Sequence, residues 1–360
     1  MSAAAKPWSY TPEGAVCISY HDLVSDPKSL GLAIEEAFGS NPKSLGIILI
    51  CGLPETYKSY RERLLKLAYK FAHLDSDVRE KYTDASSRYS FGWSHGKEIM
   101  NGKPDVFKGS YYANPVIDVP SVPDNYRTTS PEYYGRNIWP NADEKGVEGF
   151  EQAFKDLGGL VFKIGCELAE ACQPFVLSQL SDVSISLPKL ISTSQTVKAR
   201  LLHYFPPSPD IPLSTQDEPV DSWCGFHLDH SLLTGLCSAM FLQEGKPGEE
   251  PAVVPSPSPN SGLYIRTRGG ELTKVSIPID CLAFQTGEAL EIATGGKLCA
   301  TPHCVRVGGS QNATNVSRET FALFMQPDID QPLSPSMTFG QFSERVFDKH
   351  YKNEGQNIQG

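Results

Sequence analysis

The chain has 360 residues, 40% of them hydrophobic and 10% aromatic, enough to bury one large core or two, so length leaves the domain count open. A formal net charge of −10 with no basic run argues against nucleic-acid backbones and anionic membranes as partners, and no apolar stretch reaches the roughly 18 residues of a bilayer span. Nine cysteines without framework spacing, and a Met1–Pro7 segment lacking the apolar core of a secretion signal, point to a soluble cytoplasmic protein with free thiols.

Residues 1–14 read as an untethered leader. Ala15–Ser19 reads as a short strand, and Pro27–Phe38 as a helix carrying Leu30, Leu32, Ile34 and Ala37. Gly46–Gly52 is an apolar run between glycines, which predicts a buried strand. Tyr57–Leu74 has apolar residues at helical spacing, with His73 placed to meet the last carbonyls of that helix. From Ser86 to Asn114 periodicity fades and aromatic residues crowd in, the composition of a pocket-lining loop or of rings pinning a loop onto the scaffold. Residues 115–142 are irregular, and Glu148–Leu180 repeats as a long bracing helix.

Strand patterns then dominate: Thr196–Phe205, Leu236–Gln243, Leu263–Thr267, Leu272–Ile277 and Cys281–Gln285. The proline-rich Gln243–Ser261 stretch reads as a stiff exposed excursion. Two glycosylation sequons, Asn312-Ala313-Thr314 and Asn315-Val316-Ser317, read as an ordinary polar loop in a chain without a secretion signal. Residues 337–352 read as a terminal helix. Short strands punctuated by Gly and Pro indicate an α+β protein, a double-stranded β-helix (jelly roll) core braced by helices with an amino-terminal helix and strand region packed on it. The expected division is a leader (1–14), an amino-terminal region with the bracing helix (15–195), the core (196–330) and a carboxy-terminal helix (331–360), forming one compact unit.

The chemistry centres on Trp223–Thr234, where His227 and Asp229 stand two apart in a strand-like run and would share a face. A His-x-Asp pair alone is also what a structural hydrogen bond looks like. A third ligand is needed, and His303 is the best candidate. Two imidazoles and a carboxylate on one face match the facial triad of mononuclear non-haem Fe(II) oxygenases. Arg318 and Thr320 open another apolar run and would share an inward face. A buried guanidinium is costly unless an anion meets it, and its planar donors suit a carboxylate. His230, adjacent to Asp229, points the other way and reads as structural.

The segment from about Arg200 to Pro327 resembles the iron- and 2-oxoglutarate-dependent dioxygenases of the isopenicillin N synthase-like family. The ordered matches are Leu202-His203-Tyr204-Phe205-Pro206-Pro207, His227–Thr234, Gly262–Arg266, Thr286–Ile292, His303–Val307 and Arg318-Glu319-Thr320, with Gly46–Ile50 and Lys103–Tyr112 resembling the family's amino-terminal region. The resemblance implies Fe(II) held by His227, Asp229 and His303. It implies 2-oxoglutarate as co-substrate with its distal carboxylate on Arg318 and Thr320, and molecular oxygen used to hydroxylate, desaturate or cyclise a small metabolite with release of succinate and CO2. It also places the substrate mouth in the aromatic segment, making Arg88, Tyr111 and Tyr112 candidates there.

One departure concerns the co-substrate pocket. Many plant relatives carry Asn-Tyr-Tyr before Pro-Pro, and here His203-Tyr204-Phe205 stands instead, so His203 is a candidate replacement donor. His95, in the aromatic segment, is a weaker ligand candidate. Two alternatives stay open: an Fe(II) oxidase on the same fold that does not use 2-oxoglutarate, since some relatives keep the Arg pair without it, and a non-catalytic small-molecule binder. A monomer is expected, with neither nucleic-acid nor membrane partners.

Overall fold

Strand-forming sequence is spread through the whole chain, and folding gathers it into two facing sheets. The computed structural model describes residues 8–97, 99–100, 103–176, 185–206, 224–246, 249–306 and 315–346, with only the backbone of 99–100, 103–104 and 224. In chain order come β1 (Ser9–Tyr10), β2 (Val16–Ser19), helix α1 (Gly31–Phe38), β3 (Ile47–Cys51), α2 (Thr56–Ala72), β4 (Gly92–His95), β5 (Lys108–Ala113) and α3 (Phe150–Cys172). The chain continues with β6 (Lys198–Tyr204), β7 (Cys224–His227), β8 (Leu233–Cys237), β9 (Met240–Gln243), β10 (Ala252–Val254), β11 (Gly262–Arg266) and β12 (Leu272–Val275). It closes with β13 (Leu282–Thr286), α4 (Glu288–Ala293), β14 (His303–Arg306) and β15 (Val316–Met325).

Eleven strands form one sheet, in the spatial order β1-β2-β3-β13-β8-β15-β6-β5-β4, with β9 added to β15 and β10 to β9. Four strands form the facing sheet, in the order β12-β11-β14-β7. Both are antiparallel apart from the β2–β3 pair. This is the α+β double-stranded β-helix expected from the strand spacing, with helices covering the back of the large sheet.

The helices stay on that face because their apolar stripes have nowhere better to go. Leu64, Leu65 and Phe71 of α2 and Phe154, Leu157 and Val161 of α3 are fully buried against Phe284, Leu323 and Met325 of the sheet. Each such side chain is worth roughly 1.5–3 kcal/mol relative to exposure. A second core, with Ile47, Leu49, Leu263, Ile265 and Val275, fills the space between the two sheets.

Several expectations are corrected. Residues 8–14 of the expected leader are tethered: Ser9 and Tyr10 pair with Cys17 and Val16, and Trp8 Nε1 donates to Glu36; residues 1–7 lie outside the described residues. The aromatic segment 86–114 contributes β4 and β5 to the large sheet, because its rings alternate across a pleat that hydropathy alone does not show. The expected strand 236–243 breaks at Ser238–Ala239, whose carbonyls turn away from the ladder to accept from buried Arg61 (2.8 Å each). The stretch 27–38 begins as a 3-10 turn before α1. Ser317 of the second sequon is buried in β15 rather than looped out. Helix 339–346 follows a small hairpin, Pro332–Ser334 with Met337–Thr338; the expected helical residues 347–352, the tail of the 148–180 helix beyond 176, Trp223 and the sequon 312–314 lie outside the described residues.

Candidate metal centre and carboxylate pocket

β7 and β14 are neighbours, and their register sets His303 directly opposite His227, with ring centroids 4.3 Å apart. Each ring has its Nδ1 committed to a carbonyl, His227 to Gly225 O (2.8 Å) and His303 to Thr301 O (2.9 Å). A carbonyl can only accept, so each Nδ1 carries a proton and Nε2 is the ring nitrogen left to meet a ligand. Those Nε2 atoms face Oδ1 of Asp229, at 3.6 Å from His227 and 3.9 Å from His303. The three ligand atoms lie within 4.8 Å of one another, the one such group of His, Cys or acidic residues among the described residues.

The way Asp229 reaches this point differs from the sequence argument. β7 stops at His227, so Asp229 lies in irregular chain just beyond the strand. Its backbone carbonyl accepts from Glu288 N (2.8 Å) at the start of α4. Gly287 makes that approach possible: a Cβ there would lie 2.0 Å from Ser231 O and 2.8 Å from Asp229 O. The carboxylate is fixed from the other side by Thr234, whose hydroxyl donates to Oδ2 (2.6 Å). Burial works to raise the Asp229 carboxyl, but the His303 and His227 rings and the Thr234 hydroxyl outweigh it and hold the group well below the usual carboxylate range. Burial likewise holds His303 below the ordinary imidazole range, against the opposing pull of Asp229, which keeps its ring neutral. His303 is braced by the amino-terminal region: Thr301 Oγ1 donates to Gly46 O (2.7 Å), and Gly46, at φ +74°, approaches so closely that a Cβ would stand 2.2 Å from that hydroxyl.

Arg318 and Thr320 alternate along β15 onto the face that looks at the triad, as expected. Both line the same cavity as His227, Asp229 and His303, a space of about 240 Å³ between the two sheets. Arg318 is 6% exposed, and its guanidinium lies 5.0 Å from the ring centroid of Tyr204, its cross-strand partner on β6. Tyr204 is a cavity residue that the sequence reading passed over. Leu236, Val305 and Phe324 give the cavity an apolar wall, and Arg200 lines it from β6.

His203 is corrected. Because Arg318 pairs with Tyr204 and Glu319 with His203, His203 points through the opposite face of the sheet. There its Nδ1 meets the buried Glu319 carboxylate at 2.9 Å, and the ring packs edge-on to Phe205 and Tyr69. Two substrate candidates are corrected as well. Arg88 is largely exposed, 3.5 Å from Glu132, and does not line the cavity. Tyr111 is buried among Phe71, Phe150 and Phe154 behind the sheet, with its hydroxyl donating to Ile138 O (2.5 Å). Tyr112 shares the cavity face: its ring lies 5.1 Å from the guanidinium carbon of Arg200. His95 Nε2 contacts Val106 O at 3.0 Å, and His95 is not among the described residues that line the cavity. His73 holds Tyr69 O at 2.8 Å, the helix-end role expected of it, and His230 lies 3.8 Å from Glu288, outside the triad.

No family model and no curated protein matches the sequence. Solved structures do match. A full-length Neurospora crassa protein crystallised with alpha-KG aligns at TM-score 0.61 and 15% identity over 91% of this chain and 90% of that one. A Caulobacter crescentus structure assigned to the 2OG-Fe(II) oxygenase family aligns at TM-score 0.60 and 17% identity over 88% of each chain. The dioxygenase for auxin oxidation 1 from Arabidopsis thaliana, in its 2-oxoglutarate complex, aligns at TM-score 0.54 and 19% identity over 89% of this chain and 96% of that one. Together with the two sheets and the triad between them, these matches identify the fold of this chain as that of the 2-oxoglutarate–Fe(II) oxygenases.

Proposed function

We propose that the protein is an Fe(II)- and 2-oxoglutarate-dependent oxygenase acting on a small organic molecule. The observation that carries this reading is the convergence, on one cavity, of two imidazole Nε2 atoms, one carboxylate and an inward Arg318/Thr320 pair. That donor set suits Fe(II) and leaves coordination positions open. His227, Asp229 and His303 would hold the ion, and Arg318 with Thr320 would receive the distal carboxylate of 2-oxoglutarate. When bound, iron and 2-oxoglutarate supply oxidation of a substrate C–H bond by molecular oxygen, coupled to decarboxylation of the 2-oxo acid to succinate.

The chain's own residues position and enclose. The carbonyls of Gly225 and Thr301 fix the ring orientations of His227 and His303. Tyr204 gives the guanidinium of Arg318 an aromatic face to rest on. Leu236, Val305 and Phe324 give the cavity an apolar wall on which a substrate carbon skeleton would rest. Arg200, with Tyr112 against it, stands on the same wall and is the substrate-side residue we assign. The protein would work as a cytoplasmic monomer; its acidic net charge supports a small-molecule partner over nucleic acid or membrane. No described helix is long and apolar enough to cross a membrane.

The test is anaerobic titration of the Fe(II) protein with 2-oxoglutarate, followed by a succinate assay in air against a panel of metabolites. A visible charge-transfer band and substrate-stimulated succinate are expected. Substrate turnover without 2-oxoglutarate would instead mark an oxidase, and triad variants without any measurable effect would mark a binder.

A further inference from the structure

Cys17, Cys51 and Cys281 meet at one end of the inter-sheet core, remote in sequence and unused by the proposed chemistry. Cys51 ends β3, and Cys281 immediately precedes β13. The β3–β13 register pairs Ile50 with Leu282, and one step further along the antiparallel ladder sets Cys51 opposite Cys281. Their sulfurs are 3.2 Å apart. Directly opposed residues in an antiparallel pair have Cα atoms about 4.5–5.5 Å apart, inside the window a disulfide requires. Cys17 is placed differently. It pairs with Leu49 in the parallel β2–β3 ladder, so it is diagonal to Cys51, at the roughly 7–8 Å that a disulfide does not span.

We propose that Cys51 and Cys281 are a covalent modification site, a dithiol that a low-molecular-weight disulfide converts to an intrachain cystine. Cys51 is half-buried rather than sealed in, so a small oxidant can reach it. The neighbouring Cys17 and Cys281 thiols, the latter with its sulfur 3.2 Å away, hold the Cys51 thiol below its ordinary value against the cost of burial, which makes Cys51 the attacking sulfur of the pair. The three sulfurs do not form a group within 4.8 Å of one another, so pairwise chemistry fits this cluster better than a shared metal ion.

The steps balance. The Cys51 thiolate attacks one sulfur of oxidised glutathione and forms a mixed disulfide, releasing a glutathione thiolate that takes up a proton. Cys281 loses its proton and attacks the Cys51 sulfur, releasing the second glutathione. Protein dithiol plus oxidised glutathione becomes protein disulfide plus two reduced glutathione molecules. The new bond would tie β3 to the loop that follows Ser276 and Ile277, two residues of the cavity wall.

The test treats the full-length protein with oxidised glutathione, alkylates remaining thiols and maps peptides by mass spectrometry. Loss of the mass of two hydrogen atoms with a Cys51–Cys281 linkage is expected, reversed by dithiothreitol, together with a higher Tm for the oxidised form. C281S should stop at glutathione on Cys51, and C17S should still form the bond; thermal melts of both reduced variants establish that they fold. A Cys17–Cys51 linkage, a stable mixed disulfide in the wild-type chain, or thiols that stay reduced would each overturn the proposal. None of these outcomes depends on the oxygenase reading.

Discussion

The Thr234 hydroxyl donates to Oδ2 of Asp229 at 2.6 Å and leaves Oδ1 as the oxygen that both imidazoles face. On the proposed function, Thr234 thus selects which carboxylate oxygen is presented to an ion. Replacing a residue that orients a metal ligand weakens metal binding about 10–100-fold. Thr234→Val should show a loss of that size in titrations with Fe(II) or Co(II), while Thr234→Ser, which keeps the hydroxyl, stays close to wild type.

Arg318 offers a planar pair of donors that a lysine cannot reproduce. On the proposed function, Arg318→Lys raises the apparent KM for 2-oxoglutarate by about 100-fold, the equivalent of roughly 3 kcal/mol for a lost bidentate charge pair. Thr320→Val should raise it by about tenfold or less, and both variants should keep wild-type metal affinity. Steady-state succinate release at varied 2-oxoglutarate checks the pair; unchanged KM in Arg318→Lys would remove the carboxylate role.

Arg61 lies on the buried face of α2, where helical periodicity leads one to expect an apolar residue. Its Nε and Nη2 donate to Ser238 O and Ala239 O, the carbonyls exposed by the break between β8 and β9. Arg61→Met keeps bulk and deletes both bonds, so two buried carbonyls lose their donors. A destabilisation of about 2–4 kcal/mol in urea unfolding is expected. Because Ser238 and Ala239 also line the cavity, the same variant should weaken substrate binding even where it remains folded.

Asp328 provides a pH test. Burial, reinforced by the neighbouring Asp330 charge, pushes its carboxyl up to about 6, although the Gln195 amide opposes the shift. A raised folded value means that the native state binds the proton more tightly than the unfolded chain does. The stability it confers is complete below the ordinary value of 3.8 and is lost as pH rises to about 6. Asp328→Asn keeps an oxygen for the Gln195 N–H and carries no charge. Its unfolding free energy should exceed that of wild type at pH 8 by about 1 kcal/mol after solvent screening, and the advantage should vanish near pH 4.

The triad was legible because His and Asp two apart, a later His, and an inward Arg/Thr pair are a chemically specific set. The route by which they meet was not. Asp229 depends on Gly287 and Glu288 from α4, contacts that no local pattern announces. His203 was misread for a related reason: alternation fixes that His203 and Tyr204 face opposite ways, but only the β6–β15 register decides which of them joins Arg318. The aromatic segment failed differently. Trp93 and Tyr111 fill the helix–sheet core, and a run of rings looks the same in sequence whether it faces a ligand or Phe71.

The amino-terminal strands flank the large sheet on both sides, β2 and β3 beyond β13, and β4 and β5 beyond β6. Excising residues 196–330 as a free-standing fragment would strip the hydrogen-bonding partners from two margins at once and uncover the apolar surface that α2 and α3 shield. Such a piece would present two sticky borders to its own copies and precipitate instead of refolding. The half of this chain that carries the His227, Asp229 and His303 group is therefore inseparable from the half that does not.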